Sequence, residues 1–253
     1  ASVMLATALA PAKLAVVNCS DAVRRPLDAA PVRSPQAVHS VLAKEVAGLD
    51  VVEIGTRNGD GMSCFSQAAK SAVAIEMEPQ YCKSLEKRSE RQRKRGLPGF
   101  RVSCEYYERC TPDADVYTWW QDSVHLGDEM LLGHLRQQQR LGRIRASARA
   151  FVLFDQRWRN DVPSWRRLRK LATWTQQIPY NELFLCKHVL RLNRGMCDAR
   201  AKGRFILAKI PIAKYPRTLQ EAWDVQPLKG KGMERLLNLT SAEQTCPPQG
   251  RDG

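Results

Sequence analysis

The stretch that decides the fold is "VVEIGTRNGDG", residues 51–61. Val51, Val52 and Ile54 are β-branched, and with Glu53 they read as a buried strand over 50–55 that stops at a glycine. A helix from about Gly61 is expected next, with Asp60 placed to cap it through its carboxylate. Gly55 and Gly59 let the backbone turn sharply and approach a ligand closely, because a Cβ at either position would intrude. Taken alone, the stretch is either a ligand cradle or the ordinary turn that ends a strand.

A second stretch bears on that choice. In "AVAIEMEPQYC", residues 72–82, an acid, Glu76, closes the next strand 21 residues beyond Gly55. Doubly wound folds place the carboxylate that takes ribose hydroxyls at about this distance. Glu78 is the rival, but it precedes Pro79 and reads as the opening of the following turn.

Outward from these stretches, apolar runs alternate with helical patterns. Strands are expected over 72–77, 100–104, 114–119 and 149–155, and helices over 80–95, 127–140 and 165–177. Two further strands, around 183–192 and 204–212 with no long helix between them, predict an antiparallel edge hairpin. The expected fold class is α/β: a doubly wound, mostly parallel seven-stranded sheet with helices on both faces. Ligands of such sheets bind outside the carboxyl ends of the strands, where the order reverses.

Together, "VVEIGTRNG" and "AVAIEMEP" resemble the first two motifs of class I S-adenosylmethionine-dependent methyltransferases, with the resemblance covering roughly residues 36–213. The family's Glu-x-Gly-x-x-x-Gly loop matches Glu53, Gly55 and Gly59, and its ribose-binding acid matches Glu76. A dinucleotide-binding fold is the competing reading, but the Gly-x-Gly-x-x-Gly fingerprint is lacking. The resemblance implies S-adenosylmethionine as cofactor. The loop from Gly55 would pass under its methionine part, Glu76 would accept both ribose hydroxyls, and Glu105 or Tyr106 would lie near adenine.

On the acceptor side the sequence departs from the family. Amino-directed nucleic-acid methyltransferases carry Asn or Asp followed by Pro-Pro and an aromatic, and "DVYTWWQDS", residues 115–123, has none of these. Asp155 and Gln156 resemble the Asp-Asn pair of metal-dependent O-methyltransferases, but Trp120 stands where their other acid is expected, so no metal is expected. Trp119 and Trp120 read either as an acceptor-pocket lining or as one core residue and one packing contact. Asp122 and His125 are the candidates for a general base.

Composition widens the choice of partner. Among 253 residues, 40 Lys and Arg against 26 Asp and Glu leave +14, which suits RNA, an acidic lipid surface or an acidic protein. Residues 136–170 hold eleven of those bases, interleaved with Trp158 and Trp165 and opposed only by Asp155 and Asp161. They read either as a surface for RNA or an acidic protein, or as a solvated helix with buried tryptophans. The basic run over 83–96, which includes Glu86 and Glu90, reads as a solvated helix face. Apolar runs are all too short to span a membrane. Eight cysteines without a CxxC pair suggest neither a zinc ribbon nor a dithiol centre, and reduced thiols in an intracellular compartment are expected.

Residues 1–35 are rich in Ala, Pro and Arg and read as an extended arm or the remnant of a targeting segment, with plastid and mitochondrion as the compartments in view. Residues 36–213 form the main domain, and 214–253 a C-terminal extension. Two functions stand open. One is a methyltransferase with RNA or a small molecule as acceptor. The other, suggested by the bulky Arg57 in the loop and the missing acceptor motif, is a non-catalytic subunit of a larger, organellar assembly.

Overall fold

A computed structural model describes residues 17–23, 27, 36–119, 126–155, 162–179 and 204–216. Its strands are β1 (Asp50–Ile54), β2 (Ser71–Ile75), β3 (Arg101–Ser103), β4 (Val116–Trp119), β5 (Arg149–Asp155), β6 (Trp174–Pro179) and β7 (Arg204–Pro211). Its α-helices are α1 (Cys19–Ala22), α2 (Gln36–Glu45), α3 (Asp60–Phe65), α4 (Pro79–Lys94), α5 (Leu126–Arg140) and α6 (Val162–Leu171). All seven strands join one sheet in the order β3-β2-β1-β4-β5-β7-β6. The first five pair in parallel, and β7 runs antiparallel to both β5 and β6 at the far edge. This is the expected doubly wound α/β fold.

Strand alternation builds two cores. Val51, Ala72, Ala74, Val116, Phe151 and Leu153 face one side, where α2, α3 and α4 cover them through Val38, Leu42, Phe65 and Leu85. Val52, Val73, Tyr117, Ala150, Val152 and Ile206 face the other, under Leu131, Leu132 and Leu135 of α5 and Leu168 of α6. The helices therefore change face between β1 and β4, which are neighbours in the sheet. That reversal opens a crevice at the carboxyl end of β1, where the glycine loop begins.

Several expectations need correction. The helix expected over 165–177 ends at Leu171, and the chain returns as β6 from Trp174. Thr173 explains the change, since its N–H donates to the Lys209 carbonyl at 2.9 Å and draws the chain into the ladder beside β7. The strand expected around 183–192 lies outside the described residues. Asp60 does not cap α3: Gly59 is the N-cap, in the left-handed region at φ 79°, and Asp60 is buried and paired with Arg88 at 2.8 Å. A Cβ on Gly59 would collide with Leu85 of α4, so close packing as well as the turn requires glycine there.

The described cysteines are not the reduced thiols expected. Cys19 is bonded to Cys64 and Cys82 to Cys104, and Cys110 is also disulfide-bonded, so no described cysteine is free. A CxxC search misses such pairs because the bonds span 45 and 22 residues. Through Cys19, the short α1 is tied to α3 within the first core, although it lies in the arm expected over 1–35. No described helix is long and apolar enough to cross a membrane.

Candidate cofactor site

The loop after β1 is shaped by its backbone. Gly55 sits at φ 71°, and its N–H donates to the Ile75 carbonyl at the end of β2 at 2.9 Å. Thr56 donates its hydroxyl to the Glu53 carbonyl at 3.0 Å, and the Gly59 N–H returns to the Thr56 carbonyl at 3.0 Å. A Cβ on Gly55 would meet nothing within 4 Å, so open space lies above the loop. A Cβ on Gly61 would run into Glu53 Oε1, which places the Glu53 carboxylate against the first turn of α3. The positive end of that helix favours an anion there.

Glu76 follows β2 directly, and only 4 % of it is exposed. Its Oε2 accepts the Arg57 N–H at 2.7 Å, and its Oε1 accepts the N–H groups of Met77 at 2.9 Å and Glu78 at 3.0 Å. The carboxylate thus binds the glycine loop to the turn after β2. A carboxylate offers about four acceptor positions. Three are filled by backbone, and the fourth, on Oε2, receives no donor from the described residues.

The rim comes from the turns after β2 and β3. Glu76 N–H donates to the Ser103 carbonyl at 3.0 Å, which brings those turns side by side. Met77 and Tyr106 are 54 % and 47 % exposed, two of the few large apolar side chains that face solvent among the described residues. Glu105 is exposed and lies 3.9 Å from Arg109, whose guanidinium also stands 5.7 Å from the Tyr106 ring centroid.

Two arginines brace the loop. Arg57 occupies the left-handed region at φ 52°, and its guanidinium lies 5.4 Å from the centroid of the Tyr81 ring and donates to the Tyr81 hydroxyl at 3.2 Å. Arg88, which reads in the sequence as part of the solvated run, points inward: its Nη1 donates to the Asn58 carbonyl at 2.6 Å and pairs with Asp60. A helical reading could have found Arg88, because it falls on the same stripe as the buried Leu85 and Gln92. The rest of α4 keeps its charges in water, as the basic run suggested.

On the acceptor side, Trp119 is buried in the second core and donates Nε1–H to Asp128 Oδ1 at 2.7 Å, so it lines no open pocket. Trp120, Asp122, His125, Gln156 and Trp158 lie outside the described residues, as do the side chains of Asp155 and Trp165. The basic stretch over 136–170 is partly committed internally. Arg145 pairs with Asp50, Asp113 and Asp115, Arg167 with the buried Glu129, and Arg136 donates to Gln139. Among the described residues no cluster of His, Cys, Asp and Glu could hold a metal ion.

The fold and this loop define a doubly wound α/β protein with a crevice at the carboxyl ends of β1 and β2. Solved structures of related shape are methyltransferases. A SAM-dependent methyltransferase from Thiobacillus denitrificans, in complex with S-adenosyl-L-homocysteine, matches at TM-score 0.48 and 12 % identity, over 77 % of this chain and 97 % of that one. Magnesium protoporphyrin IX methyltransferase from Synechocystis, with bound SAM, matches at 0.44 and 12 %, over 69 % and 76 %. Trm5b from Pyrococcus abyssi matches at 0.45 and 11 %, over 70 % of this chain, which spans 48 % of that structure's length. No protein-family model matches the chain, and no curated protein does. With each of these TM-scores below 0.5, the reading of the site rests on this chain's own residues.

Proposed function

We propose that the chain is an S-adenosylmethionine-dependent methyltransferase. The observation that carries this reading is the meeting of Glu76 with the glycine loop: a buried carboxylate, one acceptor position unfilled, beside a loop with open space above Gly55. These residues fit the cofactor. Glu76 would hold a ribose hydroxyl, Gly55 would leave room for the methionine part, and Met77 and Tyr106 offer apolar surface for the adenine. When bound, the cofactor supplies an electrophilic methyl group on a sulfonium. Alignment of an electron-rich acceptor with that methyl is then the protein's main contribution to rate. The acceptor itself, RNA or a small molecule, is left to the basic stretch and the segments after β4 and β5.

Calorimetric titration of the purified chain with S-adenosylhomocysteine tests this without knowledge of the acceptor. Micromolar binding is expected, and Glu76→Ala should weaken it by on the order of 2 kcal/mol, since a charged hydrogen-bond partner is lost. The variant also strands three backbone N–H groups, so its fold should be checked by circular dichroism. No heat from a folded native protein would leave the second reading, a non-catalytic subunit of a larger assembly.

A further inference from the structure

The rim of the site is closed by a covalent bond that the reading above does not use. Cys82 lies in the first turn of α4, six residues beyond Glu76, and its Sγ stands 3.3 Å from the Glu76 carbonyl oxygen. Its partner Cys104 follows β3 immediately and is exposed. Their Cα atoms are 5.7 Å apart. The bond therefore ties the turn carrying Glu76 and Met77 to the turn carrying Glu105 and Tyr106, the two walls of the candidate crevice.

The far end of the second wall is anchored separately. Cys110 is disulfide-bonded, and Thr111 donates its hydroxyl to the Tyr107 carbonyl at 2.6 Å and so accepts from His134 Nε2–H of α5 at 2.9 Å. Breaking the Cys82–Cys104 bond would free only the near end, beside Glu76. Access separates this disulfide from Cys19–Cys64, in which both cysteines are 0 % exposed. Thiol–disulfide exchange requires a thiolate to reach one sulfur, and Cys104 is the reachable one.

We infer that Cys82–Cys104 is a redox gate on the cofactor crevice. In the oxidised chain the two walls are pre-positioned and the nucleoside binds with little ordering. A dithiol reductant opens the gate. One of its thiolates attacks Cys104 Sγ, the S–S bond breaks and Cys82 leaves as a thiolate. The reductant's second thiol then displaces Cys104. Two electrons and two protons pass to the pair, giving two cysteine thiols and the reductant's own disulfide. The reduced Cys82 thiol can donate to the Glu76 carbonyl it already faces. The gate rests on the cofactor reading of the site.

The test uses the full chain, oxidised, against graded dithiothreitol, with alkylation and mass spectrometry to follow each cysteine and calorimetry with S-adenosylhomocysteine to follow binding. Cys82 and Cys104 should become alkylated before Cys19 and Cys64, and affinity should fall about tenfold at that step, as the loop must then be ordered on binding. Cys104→Ser, at an exposed position, and the double variant Cys82→Ser/Cys104→Ser should both bind at the reduced level whatever the dithiothreitol concentration. Equal affinity before and after reduction, or a Cys82 found alkylated in the oxidised chain, would overturn the gate and leave the cofactor reading standing. Absence of binding in both states would overturn the cofactor reading and the gate with it.

Discussion

Arg57 is the described non-glycine residue that stands in the left-handed region, at φ 52°, where the Cβ of an L-residue crowds the following carbonyl at a cost of roughly 1–2 kcal/mol. Its backbone explains the conformation. Only this turn aims the Arg57 N–H at Glu76 Oε2, and the guanidinium then finds Tyr81. The side chain recovers part of the strain through that contact, about 0.5–1 kcal/mol for a partly exposed cation over an aromatic face. Truncation should therefore invert the usual order of residues. Arg57→Ala keeps the strain and loses Tyr81, whereas Arg57→Gly loses both, so the glycine variant should be the more stable by about 1 kcal/mol in urea unfolding. An alanine variant as stable as the glycine one would mean the loop relaxes out of the left-handed region.

At the scale of elements, α2 and α5 each bury a histidine. Burial lowers His39 to about 4 from 6.5, with Asp60 opposing the shift and Arg88 adding to it. Burial, helped by Arg143, lowers His134 to about 4 as well. Both rings are neutral in the fold and take up a proton once the chain unfolds below pH 6.5. Their contribution is whole above that pH and is lost as pH falls toward 4, on the order of 3 kcal/mol for each. Urea unfolding at pH 7.5 and 5.0 should show the drop, and His39→Phe should remove roughly half of it, leaving the share of His134; an unchanged drop in the variant would place the proton uptake elsewhere. Elements of this kind were unevenly legible in the sequence. β1, β2 and β5 were plain because β-branched and aromatic runs buried on both faces have few other homes. β6 was hidden, since "WTQQIP" carries two amides and becomes a strand only through its ladder with β7. Glu76 and the glycines could be placed from spacing, and Arg88 from the helical stripe it shares with Leu85 and Gln92, whereas the disulfides depend on contacts across 22 and 45 residues that no local pattern encodes.

Over the whole molecule, two devices brace the fold, one on the sheet and one between helices. At the amino edge, Arg145 reaches Asp50 at 3.2 Å, Asp113 at 3.0 Å and Asp115 at 2.7 Å, and the Asp50 N–H donates to Asp115 Oδ2, so the starts of β1 and β4 are clamped. Burial pushes the Asp115 carboxyl up, but the Asp50 N–H and Arg145 outweigh it and hold the group below the usual range. Over the first core, Cys19–Cys64 ties α1 to α3, the helix that follows the glycine loop, and both cysteines are sealed in that core. Disulfides last where the surroundings are oxidising, so this bond, unlike the exposed one at the rim, suits a permanent brace. It closes a loop of 45 residues, and removing such a link typically costs about 2–4 kcal/mol. Cys19→Ser/Cys64→Ser should lose that much in urea unfolding without reductant. S-adenosylhomocysteine affinity should be nearly unchanged at temperatures where the variant is folded, because Glu76 and both crevice walls lie outside the bond. A large loss of affinity in a folded variant would show instead that α1 and α3 set the glycine loop, and that the brace belongs to the site.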